Sequence, residues 1–162
     1  MLPLYKSLVR PHREYAVQFW SPHIRRDIEK MERVQRRATK MMSKIRNHSY
    51  QQQLKDLKLI SIIQRRLRGQ LIEVFKYLNR FNNVSPISLF DYDFNNRTRT
   101  NRKKIIVKRL NTSVAQHFFP INITTTWNAL PHDVVKSGTV NTFKNHRDAH
   151  WEDKPPDVLV NW

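Results

Sequence analysis

The chain has 162 residues and contains no cysteine. Disulfides, thiol catalysis and every cysteine-containing zinc site are therefore excluded. Glycine occurs only at Gly69 and Gly138, so a glycine-rich phosphate loop cannot be built. No apolar run approaches the roughly 18 residues typical of a membrane span. Residues 1–12 also lack the charged start, apolar centre and cleavage site of a secretory signal, so we expect an intracellular protein without a membrane span.

Acidic residues are scarce as well. Against 13 Asp and Glu stand 30 Lys and Arg, which gives a formal net charge of +17. Such an excess repels itself in a compact chain unless a polyanion neutralises it. Hydrophobic residues make up 39% of the chain, which is enough for a buried core and argues against a disordered tail. The composition thus favours a folded binding module with a polyanionic partner.

A long helix is predicted from Ser21, as N-cap, with Pro22 at the first helical position, to about Asn47. Apolar residues at spacings of three and four predict its buried face: Ile24, Ile28, Met31, Val34, Ala38, Met41, Met42 and Ile45. Five cations fall on a stripe roughly opposite, which we call the cationic face: Arg33, Arg36, Arg37, Lys40 and Lys44. The second half of this helix offers no acid for i,i+4 pairing, so the like charges repel. A nucleic-acid backbone is therefore favoured over a merely solvated face.

Two further helices are predicted by capping-box spacings. Ser49 precedes a helix from Tyr50 to about Leu57, and Ser61 precedes one from Ile62 to about Arg80. Three arginines crowd the start of the longer helix, namely Arg65, Arg66 and Arg68. Because cations oppose the helix dipole there, we expect them to bind nucleic acid. Ion pairs with acids elsewhere are the alternative, which the scarcity of acids disfavours.

The pattern changes after Phe81, where a cluster of Asn, Ser and Pro interrupts the helical period. We place a domain boundary there, between a helical region at 1–82 and a basic linker with a mixed subdomain at 83–162. The stretch 97–109 has seven cations around a short strand-like run at 105–107. Its candidate nucleic-acid contacts are Arg97, Arg99, Arg102, Lys103 and Lys104. A last helix is predicted from about Thr139 to Trp151, and the fold class is mainly α with a smaller mixed α/β C-terminal part.

Candidate catalytic groups are few. Asp91 and Asp93 form a D-x-D pair that lacks a third carboxylate. His146 and His150 lie four apart, but no glutamate stands between them in the order of a metalloprotease. Trp127, Phe143 and Trp151 are expected to be core residues, with base stacking the alternative. We predict no catalytic residue, metal ligand or cofactor.

Several segments occur in an order that points to a family. They read YKSLVRPHREYAVQFWSP, EKMERVQRRATKM, RRLRGQLIEVFKYLN, RTR, HFF, WNALP and FKNHRDAHW. Together, from Leu4 to Trp151, they resemble the region downstream of the catalytic palm in jockey-like non-LTR retrotransposon reverse transcriptases. The resemblance implies a helical thumb that grips template RNA and primer DNA, with the upstream palm as partner and a location in the nucleus or a cytoplasmic ribonucleoprotein.

The chain also departs from the pattern of that family. No adjacent Asp-Asp pair occurs, so the chain alone is not expected to be an enzyme. Pro120 and the run Thr124–Thr126 weaken the helix that the family would have there. Two other functions stay open: a helical interaction module that binds an acidic protein or an anionic membrane surface, and a small enzyme using the Asp or His pairs.

Overall fold

The computed structural model describes residues 2–20, 22, 24–42, 45–81, 89–91, 103–108, 112 and 117–153. The fold is mainly α, as predicted. A π-helical stretch, Tyr5–Val9, separates the first two α-helices. The α-helices in chain order are α1 (Leu2–Leu4), α2 (Arg10–Glu14), α3 (Arg25–Lys40), α4 (Tyr50–Asp56), α5 (Ile62–Leu78), α6 (Phe119–Asn128), α7 (His132–Val135) and α8 (Val140–Asp153).

The described residues form two compact units, and the division falls between Gly69 and Gln70, within α5. The sequence placed a boundary later, after residue 82, where helix-breaking residues begin. The apolar face of α5 continues beyond Gly69 with Leu71, Val74 and Phe75, which are completely buried. This helix therefore supplies core residues to the second unit as well as the first.

Helix α3 is shorter than predicted. It begins at Arg25, after an extended Ile24 that provides no side-chain cap, and it ends at Lys40. The proposed start at Pro22 is wrong, because Pro22 lies outside the helix, while Ser21 falls outside the described residues. Ile24 and Met41, both predicted to be buried, are 53% and 62% exposed.

The buried face of α3 is partly polar. Ile28 and Met31 are buried as predicted, but the face continues with Glu32, Gln35 and Thr39. Burying polar groups costs free energy unless each finds a hydrogen-bond partner. Each of the three has one, and the partners come from other segments of the first unit.

Glu32 and Gln35 hold three such segments. The Glu32 carboxylate accepts hydrogen bonds from the Tyr50 hydroxyl and from the backbone N–H of Ile62, the latter at 3.0 Å. Gln35 accepts from the Tyr5 hydroxyl at 2.8 Å and donates to the carbonyl of Ile60 at 3.0 Å. The N-terminal segment, α4 and the start of α5 are thereby fixed against α3.

The N-caps predicted for α4 and α5 are confirmed. Ser49 accepts from the backbone N–H of Gln52 at 3.3 Å, and Ser61 accepts from that of Gln64 at 3.2 Å. Thr139 caps α8 in the same way, through the N–H of Thr142 at 3.1 Å. Such caps satisfy backbone donors that no helical partner reaches.

Aromatic rings fill the core of the second unit. Trp127 and Phe143 are completely buried, as predicted, and the ring of Phe143 stacks on that of Phe75 with centroids 4.3 Å apart. Helix α6 forms despite Pro120, which lies in its first turn, where no intrahelical N–H bond is lost. A helix is therefore present at these positions, with Pro120 and the threonines at 124–126 included in it.

The strand predicted near Ile105 is not present among the residues that the structure describes. Ile105 is buried and occupies a single isolated bridge position, while the N–H of Ile106 donates to the carbonyl of Asp91 at 2.8 Å. The Asn128 side chain takes the place of a neighbouring strand. It accepts from the Ile105 N–H at 3.0 Å and donates to the Ile105 carbonyl at 2.8 Å.

Candidate nucleic-acid interface

The cationic face lies on the solvent side of α3. Arg33, Arg36, Arg37 and Lys40 are all exposed, whereas Lys44 lies outside the described residues. The hydrogen bonds of Gln35 and Thr39 hold the opposite side of the helix against the core. A rigid helix thus presents four cations to solvent.

The two halves of α3 differ in how their charges are balanced. In the first half, Arg25 pairs with Glu29 at 3.1 Å, and Lys30 pairs with Asp27 at 3.0 Å. No comparable ion pair involves Arg33, Arg36, Arg37 or Lys40 within the ranges given above. Acids among the described residues therefore do not balance the positive charge of the second half.

Arg36 makes a different intramolecular contact. Its guanidinium carbon lies 4.8 Å from the centre of the Tyr50 ring, a cation–π arrangement. Burial, and then the hydrogen bond to Glu32, raise the pKa of Tyr50 well above its ordinary value, so the ring stays neutral beneath the cation. Arg36 is thus oriented, although it remains exposed.

An open groove of about 1040 Å³ adjoins the end of α3. It is lined by Arg37, Lys40, Met41, Arg46 and Asn47. Arg46 was not among the predicted site residues, although it lies only two residues after Lys44.

Gln53 organises the loop that carries Arg46. Its side-chain amide donates to the carbonyls of Ile45 at 3.1 Å and His48 at 3.0 Å, and makes a longer contact of 3.4 Å to that of Arg46. Its oxygen accepts from the Thr39 hydroxyl at 2.7 Å. One buried side chain on α4 thereby links the loop to α3.

The arginines at the start of α5 face inward. Arg65 pairs with Glu14, and Arg66 is only 3% exposed. The Arg66 guanidinium donates to the carbonyls of Arg13, at 2.5 Å, and Trp20, and burial lowers its pKa to about 10. These two residues hold the first unit together, contrary to the expectation that acids are too scarce to engage them.

Arg68 is half-buried, and burial lowers its pKa. Arg65, Arg66 and Arg68 are thus all less exposed than the four described cations of α3.

Of the basic stretch 97–109, residues 97–102 and 109 lie outside the described residues, and these include Arg97, Arg99 and Arg102. Lys103 donates to the side-chain oxygen of Asn79, and burial lowers the pKa of its amine. The Lys103 carbonyl accepts from the Trp127 indole at 3.0 Å. Lys103 is therefore built into the second unit, and Lys104 is half-buried beside it.

Asp91, His146 and His150 are the members of the two candidate pairs that the structure describes. Asp91 pairs with Lys108, and Asp93 lies outside the described residues. His146 contacts the hydroxyl of Ser137 at 3.2 Å through its Nδ1. In the part of the chain that is described, no three His, Asp or Glu side chains are grouped so as to hold a metal ion.

Comparison with known proteins adds no relative. No protein-family model, curated protein or solved structure matches this chain. Among the described helices, none is both long enough and apolar enough to cross a membrane.

Proposed function

We propose that this chain grips the phosphate backbone of a nucleic-acid duplex or RNA–DNA hybrid through the cationic face of α3. The observation that carries the proposal is the contrast within that helix. Cations of its first half are paired with acids, whereas Arg33, Arg36, Arg37 and Lys40 are exposed without an acidic partner among the described residues. Phosphate is the ligand that matches such a row of unneutralised arginines.

The dimensions of the cationic face suit a phosphate backbone. From Arg33 to Lys40 the helix rises about 10 Å. Phosphates of one duplex strand follow each other at about 3.4 Å along the axis, so roughly three or four fall within that length. Arg46, across the groove from Lys40, extends the positive surface beyond the helix. Contacts of this kind hold the backbone without reading its sequence.

The resemblance to non-LTR reverse transcriptases supports the same function. In that setting the chain is the thumb and post-palm region of a larger polymerase, and catalysis belongs to the upstream palm. Alone, the chain grips template RNA and primer DNA but copies neither, in the nucleus or in a cytoplasmic ribonucleoprotein.

Binding should be measured by fluorescence anisotropy on labelled duplex DNA, RNA–DNA hybrid and anionic lipid vesicles, at salt concentrations from about 50 to 200 mM. With about four phosphate contacts, the log–log salt slope on duplex should be near −3.6, which is a loss of roughly a hundredfold over that range. Vesicle binding that exceeds duplex binding at every salt concentration would instead support the membrane-surface alternative. No salt-dependent duplex binding would overturn the proposal.

A further inference from the structure

Three aromatic side chains are exposed within one short turn, residues 15–20, which we call the aromatic turn. Tyr15 is 78% exposed, Phe19 83% and Trp20 42%. A single exposed ring is ordinary, whereas three exposed rings within six residues call for an explanation.

The turn is held in place without using the rings of Tyr15 and Phe19. Ala16 adopts a left-handed φ of 49°, and its carbonyl accepts from the N–H of Phe19 at 2.9 Å. Val17 is buried against Gly69, where an added Cβ would come within 3.2 Å of its methyl group. These contacts use the backbone and Val17, so both rings are presented to solvent on a fixed turn.

A cation lies over the ring of Trp20. The guanidinium of Arg66 lies 4.1 Å from the centre of one of its rings, and the Trp20 indole donates to the Tyr15 carbonyl at 2.8 Å. The ring is thereby fixed between its two partners while 42% of the residue stays exposed. An aromatic ring that is held in one orientation and partly exposed can accept a stacked base.

The charges beside the aromatic turn favour a polyanion as its ligand. The preceding helical segment carries Lys6, Arg10 and Arg13 against a single acid, Glu14. Glu14 is already shared between Arg10, at 3.2 Å, and Arg65. Exposed aromatic rings close to cations are the recognition chemistry of single-stranded nucleic acids, in which bases stack on the rings and phosphates meet the cations.

We infer that the aromatic turn binds unpaired bases of a single-stranded nucleic acid, by stacking on Phe19, Tyr15 and the exposed part of Trp20. The inference rests on the proposed function in that the ligand is again a nucleic acid. It adds a second site with a different substrate form: the cationic face takes phosphates of a duplex, and the aromatic turn takes bases that a duplex keeps stacked internally.

The test compares three labelled ligands on the full chain: oligo-deoxythymidine of about 12 nucleotides, an abasic strand of the same length and charge, and a duplex. Phe19→Leu keeps an apolar side chain but removes the π-face, and Phe19→Trp keeps a ring. We expect Phe19→Leu to weaken oligo-deoxythymidine binding by about 5- to 100-fold, and Phe19→Trp to stay close to wild type. Neither change should alter binding to the abasic strand or the duplex.

Two results would overturn the inference. One is wild-type affinity of Phe19→Leu for oligo-deoxythymidine, and the other is an equal loss on the abasic strand. Either result would mean that stacking of bases on Phe19 does not contribute to binding. Circular dichroism melts check folding, and Tyr15→Leu, also at an exposed ring, repeats the comparison if Phe19→Leu unfolds. Failure of the proposed function would differ, because salt-dependent duplex binding would then be absent already in the wild type.

Discussion

The Glu32 carboxylate accepts the backbone N–H of Ile62, the first residue of α5, at 3.0 Å. An acid at a helix N-terminus meets both an unsatisfied donor and the positive end of the helix dipole. The same carboxylate accepts the Tyr50 hydroxyl, over whose ring Arg36 lies. The side of α3 that faces the core thus positions a cation on the side that faces solvent.

Glu32→Gln should lower the free energy of unfolding by about 1 to 3 kcal/mol. The carboxylate offers two acceptor oxygens, whereas the amide offers one. Its NH₂ group would therefore face one of the two groups that now donate to Glu32. Urea denaturation followed by circular dichroism measures the change. Glu29→Gln is the control on the same helix; its exposed pair with Arg25 is worth no more than about 0.5 kcal/mol. Equal effects of the two changes would show that Glu32 does not organise the core.

Gln53→Ala should destabilise the first unit by about 1 to 3 kcal/mol, since it removes the acceptor of Thr39 and the donor to the carbonyls of the loop 45–48. Amide hydrogen exchange in that loop should become faster. Gln51→Ala, an exposed position on the same helix, serves as control and should leave both readouts unchanged. Unchanged loop exchange in Gln53→Ala would contradict the role given to this side chain.

Tyr5 makes stability depend on alkaline pH. Burial, reinforced by the nearby charge of Glu32, raises the pKa of Tyr5 to about 12 from an ordinary 10.0. The folded state therefore holds this proton more tightly, so its stabilisation is complete below pH 10 and is lost as the pH rises toward 12. The stability difference between wild type and Tyr5→Phe should be about 1 kcal/mol at pH 8 and should shrink at pH 11. A difference that is constant over this range would contradict the assignment.

Asn128→Ala should destabilise the second unit by about 2 to 4 kcal/mol, because it leaves both the N–H and the carbonyl of the buried Ile105 without the side chain that pairs with them. Thermal melts followed by near-ultraviolet circular dichroism, which reports the packed Trp127, measure the loss. Asn145→Ala, on the exposed side of α8, is the matched control and should stay within about 0.5 kcal/mol. A small effect of Asn128→Ala would show that the segment at 103–108 is held by other contacts.

Local signals in the sequence predicted α4, α5 and α8, but they did not predict α1, α2 or α7. Ser49 and Ser61 were recognised as N-caps because a cap and its N–H partner lie three residues apart. The polar half of the α3 core could not be predicted in the same way, since the partners of Gln35 and Glu32 include Tyr5 and Ile62, each 30 residues away. Apolar periodicity therefore identified Ile28 and Met31 but not the residues that follow them.

The candidate site was predictable to a similar degree. The exposed cations of α3 followed from helical spacing and the absence of neighbouring acids. The inward position of Arg65 and Arg66 did not, because their partners Glu14 and Trp20 lie 51 and 46 residues away. The scarcity of acids was a poor guide to these positions. The Glu14 carboxylate pairs with both Arg10 and Arg65, and backbone carbonyls accept hydrogen bonds from Arg66.

The most direct test of the proposed grip compares two triple variants that each lower the net charge from +17 to +14. One replaces cations without acidic partners among the described residues: Arg33→Gln, Arg37→Gln and Lys40→Gln. The other replaces cations of the same helix that lie beside Asp27 or Glu29: Arg25→Gln, Arg26→Gln and Lys30→Gln. The readout is the salt slope of duplex binding, with circular dichroism melts as the folding control.

If the cationic face touches phosphates, the first variant should flatten the log–log salt slope by about 2.7 units, whereas the second should change it by less than about one unit. Affinity should fall uniformly across duplex sequences, because phosphate contacts carry no sequence information. Equal flattening by two folded variants would mean that only net charge matters, and an unchanged slope in the first would contradict the central claim.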